Sequence, residues 1–238
     1  MSSPDTPTFS PDDRRKAWIA LLLMVPIPSL GALSGMLWWP ESGFGQILFG
    51  ISKLWIVLLP LIWRKFVEKH PLSLSPAKHG GWKPAFISGS VIALAIVGAF
   101  FLVRQAGWID EGMVRERAEL TGLANLAVFI GAAAYWITIN SLLEEYVWRW
   151  FVFRQFEKIM GGKWAVVASA FGFTLHHVFA LALQFDWRIT LLANCGVFTG
   201  GLIWSWLYLK YRSVWPCWLS HAIVDVPIFV AGWHIIFL

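Results

Sequence analysis

The chain has 238 residues, of which 58% are hydrophobic and 14% charged, with 17 Trp and 18 Phe. Soluble domains are about 45–50% apolar and roughly 25% charged, so this composition and a mean hydropathy of +0.62 exclude a soluble enzyme, a disordered protein and a disulfide-rich secreted domain. The formal net charge of +5 does not point to nucleic acid, because the basic residues stand between apolar runs and form no patch with interleaved aromatics.

Residues 1–16, rich in Ser, Pro and Asp, read as a disordered polar tail, and 17–238 as a single membrane domain. The tail lacks the basic start of a signal peptide, and the first apolar run, 17–40, is too long for a signal core, so it is expected to remain as a helix kinked near Pro26 and Pro28. Further runs follow at 42–63, which contains Lys53, and at 85–103, 123–143, 164–185, 189–209 and 213–238. At ~1.5 Å per residue, about 20 residues cross a hydrocarbon core of roughly 30 Å. The expected fold class is therefore all-α, a polytopic integral membrane helical bundle of about seven transmembrane helices.

Between the runs, residues 64–84 contain Pro71, Pro76, Gly80 and Gly81 and read as an irregular loop. Residues 105–121 mix both charges and read as a short surface helix laced with ion pairs. Trp18, Trp38, Trp39, Trp63, Trp164, Trp187 and Trp215 stand near run ends, where an interfacial belt is expected, while Trp136 and Trp204 are equally consistent with packing. Cys195 and Cys217 lie inside apolar runs with no metal-site spacing.

Placing the N-terminus inside puts thirteen Lys and Arg on that side and four, Arg104, Arg115, Arg117 and Arg188, on the other. The bias predicts a cytoplasmic N-terminus and an outside C-terminus. Short loops and the lack of an Asn-x-Ser/Thr site favour a bacterial plasma membrane.

Ionisable residues at membrane depth carry the functional signal, because each costs about 2.5–3.5 kcal/mol at a helix centre unless paired or hydrated. In the stretch from Asn140 to Arg149, Glu145 and Arg149 are spaced to meet on one helix face, and Glu144 is rotated about 100° away. His176 and His177 are adjacent, so only one is expected on a given face, and His221 and Asp225 share a face at i, i+4. Three helices thus each offer a polar face to a common interior.

Two carboxylates, histidines and an arginine are the components of a hydrolytic site. A glutamate partly withdrawn from water can take a proton from a water molecule, and histidines can share that proton or steady an oxyanion. No Ser or Cys stands in a nucleophile context, so water is the expected nucleophile. The same residues suit zinc, which accepts His nitrogen and carboxylate oxygen, but no zincin spacing is present. A membrane protein that binds, confers immunity or transports protons without catalysis would use such a set equally well.

These residues fall into Glu144-Glu145-x-x-x-Arg149, Phe173-x-x-x-His177 and His221-x-x-x-Asp225. In order and on separate apolar runs, they resemble the three motifs of the type II CAAX prenyl endopeptidase and bacteriocin-processing group of intramembrane proteases, over roughly residues 120–238. The resemblance implies hydrolysis of a membrane-associated protein or peptide within the bilayer. Glu144 and His177 would activate water, and His221 with Asp225 would hold the oxyanion. Glu145 and Arg149 would position the helix, with His176 in a supporting place. One branch of the family has Asn where Asp225 stands, and an ionised Asp cannot donate a hydrogen bond, so Asp225 is either protonated or orients His221. A reaction without metal is favoured, since no ligand spacing is dedicated. Zinc is the alternative, with Glu144, His177, His221 and Asp225 as its ligands.

Overall fold

The computed structural model describes residues 9–40 and 42–238. Eight helices follow in chain order: α1 Pro11–Trp38, α2 Gly43–Val67, α3 Trp82–Gln105, α4 Glu111–Leu120, α5 Leu126–Met160, α6 Gly162–Ala182, α7 Trp187–Tyr211 and α8 Val214–Phe237. All but α4 are long and apolar enough to cross a membrane, and no strand occurs among the described residues. Half of the expected tail, residues 1–8, lies outside the described residues. Pro11–Lys16, expected in the tail, instead form the first turns of α1. The reason is local: Ser10 Oγ accepts from the Asp13 N–H at 3.1 Å while Asp13 accepts from the Ser10 N–H at 3.3 Å, a reciprocal cap. α1 is interrupted at Val25, just ahead of Pro26, which has no N–H to continue the ladder.

The fourth apolar run ends at 143 in the sequence, but α5 continues to Met160 and spans 35 residues, about 52 Å of helix. Its polar stretch stays helical because Glu145 and Arg149 pair within the protein, and after Gly131 no Gly or Pro occurs until Gly161, which leaves the helix at φ +78°. Widened π turns at Tyr135–Asn140 and Tyr146–Phe153 flank the α turn Ser141–Glu145. Such turns release backbone groups from the regular ladder and recur at functional sites.

α3 runs parallel to α8: Gly81 abuts Pro216, Gly89 abuts Ser220, and Arg104 reaches His234. α6 and α7 form a hairpin in which Gly201 lies so close to Ala170 that a Cβ would stand 3.2 Å from its Cα, the close approach that small residues permit in membrane bundles. Trp148, Phe151, Phe153, Phe173 and Leu207 make the fully buried core, while Leu22, Val91, Leu94, Leu102 and Phe171 point outward.

Of the tryptophans expected in an interfacial belt, Trp18, Trp38, Trp39, Trp164 and Trp187 are exposed and Trp215 is half-buried, but Trp63 is buried in the core. The charged segment does form the surface helix α4, capped by Asp110, whose carboxylate accepts from the Met113 N–H. Besides the ion pair from Arg104 to Glu111, Arg115 donates to the Ile235 carbonyl and Arg117 to the Gln184 carbonyl, tying α4 to the ends of α8 and α6.

Candidate active site

α5, α6 and α8 bring the three polar stretches together. Glu145 and Arg149, both fully buried, meet at 3.2 Å as their spacing predicts. Arg149 finds the remainder of its environment in rings, its guanidinium carbon 4.7 Å from the Phe173 centroid and 5.2 Å from that of Trp204. Phe173 thus packs at the centre of the site, touching Arg149 on one side and the rings of His177 and His221 on others.

Glu145 has a second role that spacing within one helix does not reveal. Its Oε1 accepts from Nδ1 of His221 at 2.8 Å, joining α5 to α8. Asp225, by contrast, stands 3.8 Å from His221 Nε2, beyond hydrogen-bond reach. The residue that orients His221 is therefore Glu145, not its i, i+4 neighbour. The ring is also stacked on Trp204 at 3.9 Å between centroids. Trp204 is held in turn by its N–H, which donates to Ser220 Oγ at 3.1 Å.

Glu144 points away from the buried pair, as its rotation predicts. Its Oε1 accepts from the Asn140 amide at 3.0 Å, and its Oε2 lies 3.7 Å from His221 Nε2. Nδ1 of His177 donates to the Phe173 carbonyl at 3.0 Å, which leaves Nε2 as the free nitrogen.

His176 departs from expectation. Although it is adjacent to His177, the two rings are 4.0 Å apart, and ligand-type atoms of Glu144, His176 and His177 all lie within 4.8 Å of one another. The 100° step between neighbours on a helix is offset by imidazoles that lean toward each other, His176 lying flat on Trp148. Among the described residues this is the group whose geometry could hold a metal; of the set expected from the sequence it contains Glu144 and His177, it adds His176, and it does not contain His221 or Asp225. His176 Nδ1 is moreover buried without a partner, so the residues fit a three-ligand zinc site with an open position.

Three contributors were not singled out from the sequence. Asn140 stands at i, i+4 from Glu144, a spacing that would have found it; Trp204 and Ser220 carry no comparable signal, because their contacts depend on how α7 meets α8.

Fold and site define a polytopic helical membrane protein with a charged and histidine-rich site buried among its helices. Residues 124–227, which carry all three motifs, match the family model described as type II CAAX prenyl endopeptidase Rce1-like. That part of the chain is similar to the family its motifs resemble, and the match supports a general role as an intramembrane protease acting on a membrane-associated protein. Neither the curated proteins nor the solved structures include a match to the chain.

Proposed function

We propose that the protein is an intramembrane endopeptidase that hydrolyses a peptide bond of a membrane-associated protein or peptide, using a water activated by Glu144 and His177. The observation that carries the reading is the convergence of Glu144, His177 and His221 from three helices, with Glu144 Oε2 3.7 Å from His221 Nε2 and a ligand-type atom of Glu144 within 4.8 Å of one of His177. Glu144 takes a proton as the water oxygen bonds to the scissile carbonyl carbon, and the carbonyl electron pair moves onto oxygen. With its Nδ1–H given to Glu145, His221 directs Nε2 at the site, and in its doubly protonated form it donates there to the oxyanion. Collapse of the intermediate breaks the C–N bond, and the proton on Glu144 passes to the leaving amine. Asp225 adds a donor only in its protonated form.

Glu144, His176 and His177 would hold a zinc ion if one is resident, and the ion would supply Lewis-acid polarisation of the water. Asn140, His177 and His221 keep their orienting bonds in either case. The uneven distribution of Lys and Arg supports an N-terminus in the cytoplasm and a C-terminus outside, and the short loops without an Asn-x-Ser/Thr site favour a bacterial plasma membrane.

The test compares new protein termini in membranes of cells expressing wild type and Glu144→Gln at matched levels. Termini present with wild type and reduced about 10²–10⁴-fold in the variant, the usual scale of a lost general base, are expected. Equal termini from a folded Glu144→Gln protein would overturn the assignment. No new termini from wild type with its partner present would favour binding or transport.

A further inference from the structure

Away from the hydrolytic site, at the end of the bundle where α2, α5 and α7 finish or turn, the loop 68–81 borders an open hollow of about 250 Å³. Arg64, Lys78, His79, Arg154 and Arg212 line it, and Ser73, Ser75 and Tyr208 add hydroxyl groups. No residue of the Glu144 site is among them.

The charges in this cavity are only partly spent. Arg64 pairs with Glu68 at 3.2 Å, and Arg212 holds Glu157 through two bonds of 2.8 and 2.7 Å. Burial works to raise the Glu68 carboxyl, but Lys158, Gln155 and Arg64 together hold it below its ordinary value, so it is already committed to those three. Arg154 and Lys78 have no carboxylate partner among the described residues. The cavity therefore retains positive charge from an arginine and a lysine, with His79 beside them.

The wall is built and not merely adjacent. Ser75 is buried and takes φ +52°, a left-handed conformation that costs free energy in a non-glycine residue. It is held there from the start of α8: Ser213 Oγ donates to the Ser75 carbonyl at 2.6 Å and the Val214 N–H to Ser75 Oγ at 3.1 Å. The Trp215 indole donates to the Leu74 carbonyl at 2.9 Å. Those bonds turn the Leu74 side chain outward, 85% exposed, beside a half-exposed Leu72. A cationic hollow at the level where membrane helices end, with exposed leucines in the same loop, matches a ligand with a phosphate head and an acyl body.

We propose that this cavity binds the phosphate of an anionic phospholipid headgroup. Its volume is below the roughly 300–1,000 Å³ of sites for drug-sized ligands and suits a small polar head. A guanidinium such as that of Arg154 presents a planar fork that matches phosphate oxygens, and basic pockets between transmembrane helices are a recognised place for acidic headgroups. The exposed leucines would lie along the first acyl carbons.

The test reconstitutes the full chain in nanodiscs of phosphatidylcholine with phosphatidylglycerol and counts retained lipids by native mass spectrometry. Wild type is expected to retain phosphatidylglycerol in preference to phosphatidylcholine, and K78Q/R154Q to lose that preference by roughly tenfold. K65Q/K210Q, which removes exposed charges at the same end but outside the cavity, should retain it. Equal retention of the two lipids by wild type, or an equal loss in K65Q/K210Q, overturns the proposal. A measurement on wild type alone removes dependence on a variant's folding: phosphatidylglycerol added in detergent should raise the melting temperature. Inorganic phosphate, or a peptide with a free C-terminal carboxylate, should not. Stabilisation by either of those without stabilisation by phosphatidylglycerol would overturn the lipid assignment. Proteolysis is not read in either experiment, so the outcome leaves the hydrolytic reading untouched.

Discussion

Removing the charge of Arg149 by Arg149→Met isolates what the buried pair contributes. Both side chains are fully buried and meet at 3.2 Å, which with an effective dielectric near 20 corresponds to a Coulombic attraction of about 5 kcal/mol. Breaking such a pair from one side typically costs about 3–5 kcal/mol because a charge is left uncompensated. Here that charge is Glu145, whose remaining partner is His221. Arg149→Met should therefore destabilise by about 3–5 kcal/mol. Glu145→Gln/Arg149→Met should recover part of the loss, since no charge is stranded and Gln keeps an oxygen for the His221 Nδ1–H. Reversible unfolding in detergent micelles measures the cycle, and cleavage of a membrane substrate reads the orientation of His221. Glu145→Leu/Arg149→Met should be less stable than the Gln double variant by about 1–3 kcal/mol, the cost of a buried His221 Nδ1–H left unpaired, and should lose hydrolysis, because His221 is no longer held. Stabilities that add to within about 0.5 kcal/mol across the cycle, or equal hydrolysis by the Gln and Leu doubles, would refute the reasoning.

A Cβ at Gly89 would stand 2.8 Å from the Ser220 carbonyl oxygen and 3.0 Å from its Cα, backbone atoms next to His221. Gly89→Val should cost about 1–3 kcal/mol by overpacking and abolish hydrolysis, whereas Gly98→Val, which meets open space, should leave both unchanged; thermal unfolding and a cleavage assay compare them. The Glu68 carboxyl is opposed by burial but held below its ordinary 4.5 by Lys158, Gln155 and Arg64. Its contribution to stability is thus present above about pH 4.5 and lost as pH falls below it. Hydrogen exchange around Arg64–Glu68 and Gln155–Lys158 should quicken in that acid range, and Glu68→Gln should remove the dependence. On the reading without metal, purified protein stays active after exhaustive chelation, with sub-stoichiometric zinc by elemental analysis. Stoichiometric zinc lost on chelation in wild type, and missing from His176→Ala, would replace that reading with the three-ligand site.

Seven apolar runs and the charged surface helix were legible in order along the chain, because a span is a property of continuous hydropathy and needs no knowledge of neighbours; the loop expected at 64–84 is shorter, 68–81, since the flanking helices run on to Val67 and begin at Trp82. The Glu145–Arg149 pair was legible too, since i, i+4 contact follows from helix geometry alone. The end of the fourth helix was not, because hydropathy marks where lipid contact stops, and α5 continues as a helix through charges paired within the protein.

Within the site, the sequence by itself supplied Glu144, His177, His221 and Asp225 as polar groups at membrane depth. It could not say which would touch. His221 is oriented by Glu145 from another helix, 76 positions away, and not by Asp225 one turn along. His176 joins Glu144 and His177 although helical periodicity separates it from its neighbour. Periodicity sets the direction in which a side chain leaves its own helix, but partners are chosen by how α5, α6, α7 and α8 approach one another. That approach is governed by packing at points such as Gly89 against Ser220 and Gly201 against Ala170, and it exists only in the folded bundle.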